Sequence, residues 1–132
     1  MRYLLDTNIL SDMIRNPHGA AAIRQALVAP GAVCTSVLVA AELRFGAEKR
    51  RSQLLRGKVE ALLGAIPVLP FETPGDRTYA EVRSALEAAG TPISGNDFLI
   101  AAHALSAGCI LVTDNEREFA RVPGLTVENW LR

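Results

Sequence analysis

Several things are missing from this 132-residue chain, and each absence removes a class of function. It has no net charge: 14 basic residues balance 14 acidic ones, so the total marks neither a general nucleic-acid binder nor a membrane binder. Any polyanion site must come from local segregation of charge. It has no long hydrophobic run, since the longest, Phe98 to Val112, is broken by His103, Ser106 and Gly108. Its N-terminal MRYLLDTN lacks the apolar region of a signal peptide, so a cytoplasmic location without membrane contact is expected. Cysteine is limited to Cys34 and Cys109, neither with a closely spaced Cys or His partner, which fits buried free thiols and disfavours zinc. No lysine follows Lys58, which counts against a phosphoacceptor signalling domain. The first acid stands in DTN rather than DxD, which counts against a phosphohydrolase with an aspartyl nucleophile.

What is present is ordinary in bulk and unusual in pattern. Hydrophobic residues make up 49% and charged residues 21%, values of a folded globular chain whose length suits one domain over residues 1–132. Short apolar runs bounded by Pro, Gly, Asp or Thr predict strands at Tyr3–Leu5, Val33–Thr35, Ile66–Leu69 and Ile110–Val112. Helical periodicity predicts helices over Asn8–Arg15, Ala20–Val28, Val37–Phe45, Ser52–Gly64, Arg77–Ala89 and Asp97–Ala107. Ser36 and Asn96 stand at N-cap positions and Gly90 and Gly108 at C-cap positions; TPGD at Thr73–Asp76 reads as a loop. Strands alternating with helices predict an α/β class, with a mostly parallel sheet covered on both faces and ligands beyond the carboxyl ends of the strands.

Four acids recur beside these apolar segments: Asp6 in LLDTN, Glu42 in VAAELRFG, Asp97 in GNDFLIAA and Asp114 in ILVTDN. An unpaired buried charge is costly, so carboxylates against a core imply a cation that meets them there. Glu42 falls on a helical wheel between Leu38 and Phe45 on one side and Val39 and Gly46 on the other, with Arg44 nearly opposite. Asp97 opens a helix apolar nearly all round, where its minimal role is to complement the helix dipole. Asp6 and Asp114 follow predicted strands and should project at the same sheet edge. An all-oxygen pocket of this kind suits Mg²⁺.

The ordered set DTNIL, AEL, GNDFLIAAHAL, LVTDNEREF and VPGLTVENW, spanning Met1 to Trp130, resembles the PIN-domain ribonucleases, specifically the VapC-like toxins of type II toxin-antitoxin modules. That resemblance implies a metal-dependent endoribonuclease of α/β fold, using Mg²⁺ with Mn²⁺ as substitute, that leaves 5′-phosphate and 3′-hydroxyl ends on tRNA or rRNA. It also implies a homodimer and a cognate antitoxin whose arginine-bearing tail enters the acidic pocket. Asp6, Glu42 and Asp97 match the family's core acids; the fourth is Asp114, with Glu118 as its substitute. Thr7, Asn8, Ser36 and Asn96 adjoin these positions, either orienting ligands and waters or acting only as caps. The rival reading is a PIN-like module that binds RNA or protein without cutting.

Between Arg44 and Lys58 the chain carries Arg44, Lys49, Arg50, Arg51, Arg56 and Lys58 against the single acid Glu48. Some of these, Arg44, Lys49, Arg50 and Arg51 first, are expected to hold RNA phosphates, with a solvated helix face as the alternative. Apolar side chains on the helices from Ala20 to Gly64 exceed the needs of a small core and could form a groove for a partner helix. His103, midway along the apolar helix, is expected to be structural, and His18 in NPHG to be solvated.

Overall fold

Five short strands line up side by side in the order β3-β2-β1-β4-β5, all parallel. They are β1 (Arg2–Leu5), β2 (Val33–Ser36), β3 (Val68–Leu69), β4 (Cys109–Val112) and β5 (Val127–Glu128). The helices are α1 (Thr7–Arg15), α2 (Ala20–Leu27), α3 (Val37–Arg50), α4 (Gln53–Ala65), α5 (Gly75–Ala88), α6 (Gly95–Ser106) and α7 (Glu116–Phe119). This computed structural model describes residues 2–132. Parallel strands need crossover connections, and the helices between them supply these and cover the sheet, which is the predicted α/β architecture.

The central strands are mostly apolar because both of their faces are covered, and the polar Thr35 and Ser36 of β2 are buried with their hydroxyls hydrogen-bonded. All four residues of β2 and of β4 are buried. Strand β1 pairs with β2 on one side and β4 on the other, so the sheet order reverses there, and the carboxyl ends of β1 and β4 flank a crevice. The core runs through Leu4, Leu5, Ile9, Leu10, Val39, Phe98, Ile100, Leu111, Phe119 and Trp130.

Several boundaries differ from the periodicity. Helix α3 continues past Phe45 to Arg50 because Gly46 faces open space, where a helical glycine costs only about 1 kcal/mol. Its buried residues are Val39, Ala40, Leu43 and Ala47, while Phe45 is 68% exposed. The stripe expected around Glu42 therefore lies one step round the helix, and Glu42 is half-buried at its edge. Helix α5 starts at Gly75, inside the TPGD segment expected to be a loop, where Gly75 lies against the Phe71 ring too closely for a Cβ. Helix α6 is capped by Ser94, whose hydroxyl accepts from the Asp97 amide at 3.2 Å, rather than by Asn96. Ser36 does cap α3, accepting from the Leu38 amide at 3.0 Å, and Gly90 and Gly108 have the positive φ of C-cap glycines. The Ile66–Leu69 strand shrinks to Val68–Leu69, and β5 and α7 lay outside the prediction.

Both cysteines are buried and free, with their sulfurs 4.0 Å apart. His103 is buried as a structural residue: its Nδ1 lies 2.7 Å from the Ser36 hydroxyl, and its ring meets the edge of Phe71. Burial lowers its pKa, so the neutral ring is favoured. His18 is exposed. Among the described residues, no helix is long and apolar enough to cross a membrane.

Candidate metal centre

The site forms where β1 and β4 end. Asp6 is the first residue past β1 and the N-cap of α1, and it is only 4% exposed. Its Oδ1 accepts from the Thr7 amide at 2.8 Å, and its Oδ2 accepts from the Thr113 hydroxyl at 2.7 Å. Burial raises the pKa of Asp6 against the pull of these hydrogen bonds, and the nearby charge of Glu42 raises it further. Thr7 turns the other way, its hydroxyl donating to Glu42 Oε2 at 2.6 Å, and so ties α1 to α3 across the crevice.

Asp97, in the first turn of α6, has its pKa raised by burial first and then by the charges of Asp6 and Glu118. The Asn115 amide donates to both Asp97 Oδ2, at 3.4 Å, and Glu118 Oε2, at 3.2 Å. Asp6, Glu42, Asp97 and Glu118 thus form one electrostatic group built from α1, α3, α6 and α7. Asp114 stands outside it. It is exposed, its amide donates to Asn8 Oδ1 at 3.0 Å, and its Oδ1 accepts from Asn129 at 3.1 Å.

The reason is alternation along the extended chain. The Thr113 amide continues the ladder to the Glu128 carbonyl at 2.9 Å, and the Thr113 side chain turns in to Asp6, so Asp114 turns out. The turn and α7 then return Glu118 to the crevice. Thr113 and Asn115 had no place in the sequence argument. Their only signal was position, immediately before and after the acid that ends the strand.

Among the described residues, no Arg, Lys or His forms an ion pair with Asp6, Glu42, Asp97 or Glu118. Several carboxylates that repel one another and meet no protein cation are a fit for a hard divalent ion, which takes oxygen ligands. Among the described residues no three His, Cys, Asp or Glu side chains already converge as ligands would.

The basic segment divides. Arg44 is held by Glu60 through two 2.9 Å contacts, and Arg56 by Glu48 at 3.0 Å. Lys49, Arg50, Arg51 and Lys58 form no ion pair among the described residues. Arg50 reaches the site: with Arg15, which the sequence argument missed, it lines a cavity of about 220 Å³ that includes Thr7 and Glu42 and has Leu43, Leu55 and Val59 in its walls. Ser36 lies away from the acids' hydrogen bonds, joined to His103. Asn8 donates to Thr113 at 3.4 Å and so supports the Asp6 contact from behind. Asn96 is exposed beside Asp97.

A family model described as PIN domain matches residues 3–125. The chain belongs to the PIN-domain family. Two relatives of this PIN-domain chain are each 35% identical to it with 98% of both chains covered: the Ribonuclease VapC2 of Rickettsia felis and the tRNA(fMet)-specific endonuclease VapC of Shigella flexneri. The crystal structure of VapBC2 from Rickettsia felis bound to a promoter DNA fragment superposes with a TM-score of 0.92 at 34% identity, covering 98% of this chain and 99% of that one. VapBC-1 from nontypeable Haemophilus influenzae superposes with a TM-score of 0.88 at 32% identity, covering both chains completely. PIN-domain nucleases of the VapC type are metal-dependent in general, which agrees with the uncompensated acids.

Proposed function

We propose that this PIN-domain chain is the endoribonuclease toxin of a toxin-antitoxin pair, acting in the cytoplasm on tRNA or ribosomal RNA. The observation that carries the reading is the group of four carboxylates at the sheet's switch point that form no ion pair among the described residues. Its supports are full-length relatives named as ribonuclease and as tRNA(fMet)-specific endonuclease, and a superposable VapBC2 complex. Asp6, Asp97 and Glu118, with Glu42 completing the set, would hold the metal, for which we favour Mg²⁺ with Mn²⁺ as substitute. In this reading Glu118 replaces Asp114 as the fourth acid.

When bound, the divalent ion supplies positive charge that polarises the scissile phosphate and activates the attacking water. The protein's own part is positioning. Thr113 and the Thr7 amide fix both oxygens of Asp6, the Thr7 hydroxyl aims Glu42, and Asn115 spaces Asp97 from Glu118. No side-chain nucleophile is required. Arg50 and Arg15 would hold an RNA phosphate next to the acids, offsetting the repulsion that carboxylates exert on a polyanion, with Lys49 and Arg51 further out. We also assign a homodimer, and a cognate antitoxin as the partner that silences the acids.

The test is cleavage of a total tRNA and ribosomal RNA pool with Mg²⁺, with EDTA, and with an Asp6→Asn, Asp97→Asn double variant. Discrete fragments with 5′-phosphate ends that need both metal and carboxylates are expected. Folded protein that cuts nothing, or a double variant that cuts equally well, would leave a binding module instead. Reversing Arg50 and Arg51 to Glu should weaken RNA binding and flatten its salt dependence.

A further inference from the structure

A second recess, of about 260 Å³, opens between α3 and α6 and is lined by Leu38, Ala41, Glu42, Asn96 and Leu99. It touches the acidic site through Glu42, which also lines the Arg15–Arg50 cavity, and through Asn96, the chain neighbour of Asp97. Leu38 of α3 and Leu99 of α6 are half-buried and give the recess apolar lining from both helices. Asn96 is exposed, neither caps α6 nor makes a side-chain hydrogen bond among the described residues, and so presents a free amide with two donors and an acceptor.

These features select among occupants. No cation lines the recess, and Glu42 would repel a phosphate, so the RNA backbone does not belong here. A lone carboxylate among apolar side chains offers few of the oxygen ligands that a second metal ion takes. A planar group with apolar faces and a polar edge matches the walls and the amide. Single-stranded RNA offers such a group in an unstacked base, and proteins read splayed bases by packing on their faces and hydrogen-bonding their edges. The two cavities meet at Glu42 and divide the work: the cationic one suits a phosphate and the apolar one suits a base.

We propose that the α3–α6 recess receives one unstacked nucleobase of the RNA, from a nucleotide flanking the cut, and that Asn96 reads its edge. This rests on the ribonuclease reading, and it makes Asn96 a specificity residue rather than a cap or a support for the acids.

The test is an NMR titration of the protein in EDTA with short single-stranded homopolymers of A, C, G or U, which share a backbone and differ only in base. One base is expected to shift the amides of Leu38, Ala41, Asn96 and Leu99 more than the others. In Asn96→Ala, its preference over the others should fall about tenfold, the scale of a lost two-bond contact to a base edge. Equal shifts from all four, no shifts, or a preference that survives in Asn96→Ala would overturn the proposal. Shifts that follow protein concentration without RNA would overturn it too, by assigning the recess to a second copy of the chain. Sequencing the ends cut by wild type and Asn96→Ala separates the two readings. Continued cutting with a flattened base distribution beside the cut is the expected result, and continued cutting with an unchanged one overturns the base pocket. If wild type cuts nothing, the ribonuclease reading fails alone and the titration still decides what the recess binds.

Discussion

Removing the counter-ion problem should make this protein more stable, and that is measurable without any RNA. Asp6 is 4% exposed and Asp97 is half-buried, and burial is the first cause of a raised pKa in both. With raised values the folded state binds more protons than the unfolded chain. In metal-free buffer their contribution is therefore present at low pH and lost as pH rises through the folded pKa values. A bound divalent ion should reverse that loss. A ligand that binds only the folded state adds RT ln(1 + [L]/Kd), about 1.4 kcal/mol when the metal stands at ten times its Kd. For a domain of this size each kcal/mol moves Tm by roughly 3–5 °C, so a rise of about 4–7 °C is expected at pH 7. The assay is calorimetry or dye-monitored melting across a Mg²⁺ or Mn²⁺ titration, for wild type and for Asp6→Asn, Asp97→Asn. The double variant should be at least as stable as metal-free wild type at pH 7, should not respond to metal, and should lose its advantage as pH falls. An equal metal response in the variant, or an advantage that grows toward low pH, would refute the reasoning.

Further outcomes follow from the same geometry. Glu118→Gln should lower cleavage by about 10- to 100-fold while Asp114→Asn stays within a few-fold, a comparison read in single-turnover assays on one RNA. Thr113→Val removes the donor to Asp6 Oδ2, so the acid limb of the pH–rate profile should move to higher pH and metal affinity should drop by about 10- to 100-fold. Ser36→Ala strips both the α3 cap and the partner of His103 Nδ1, and should cost about 1–3 kcal/mol in denaturant unfolding with the metal response retained.

The strands were legible because β1, β2 and β4 are apolar runs bounded by polar or turn residues, a pattern that a doubly covered sheet demands. Strand β5 was not, because Val127–Glu128 is two half-buried residues with a charge among them. Asp6, Glu42 and Asp97 were legible as acids out of place against apolar neighbours. Glu42 was found for a partly wrong reason: its wheel position assumed that Phe45 faced the core, whereas the site claims Glu42 through the Thr7 hydroxyl. The choice between Asp114 and Glu118 could not be made from composition, since it turns on which way one residue beyond β4 points. The proposed preference for Glu118 rests on the Thr113 side chain turning in to Asp6, and a threonine at a strand end looks in sequence like the start of any turn. Arg15 escaped notice because it stands alone in α1, far in sequence from the basic segment whose Arg50 lines the same cavity. Of that segment, Arg44 proved to be committed to Glu60, an interhelical contact that spacing does not reveal.

The proposed metal site joins Asp6, at the end of β1, with Glu42, Asp97 and Glu118 from three helices. Soaking crystals of the protein in Mn²⁺ and collecting data that reveal the ion's anomalous scattering tests it most directly. A strong peak within about 2.5 Å of oxygens from Asp6 and Asp97, with Glu118 turned toward it, is the predicted result. A peak at Asp114 and Glu116 instead, or no peak beside Asp6 at saturating Mn²⁺, would contradict the account.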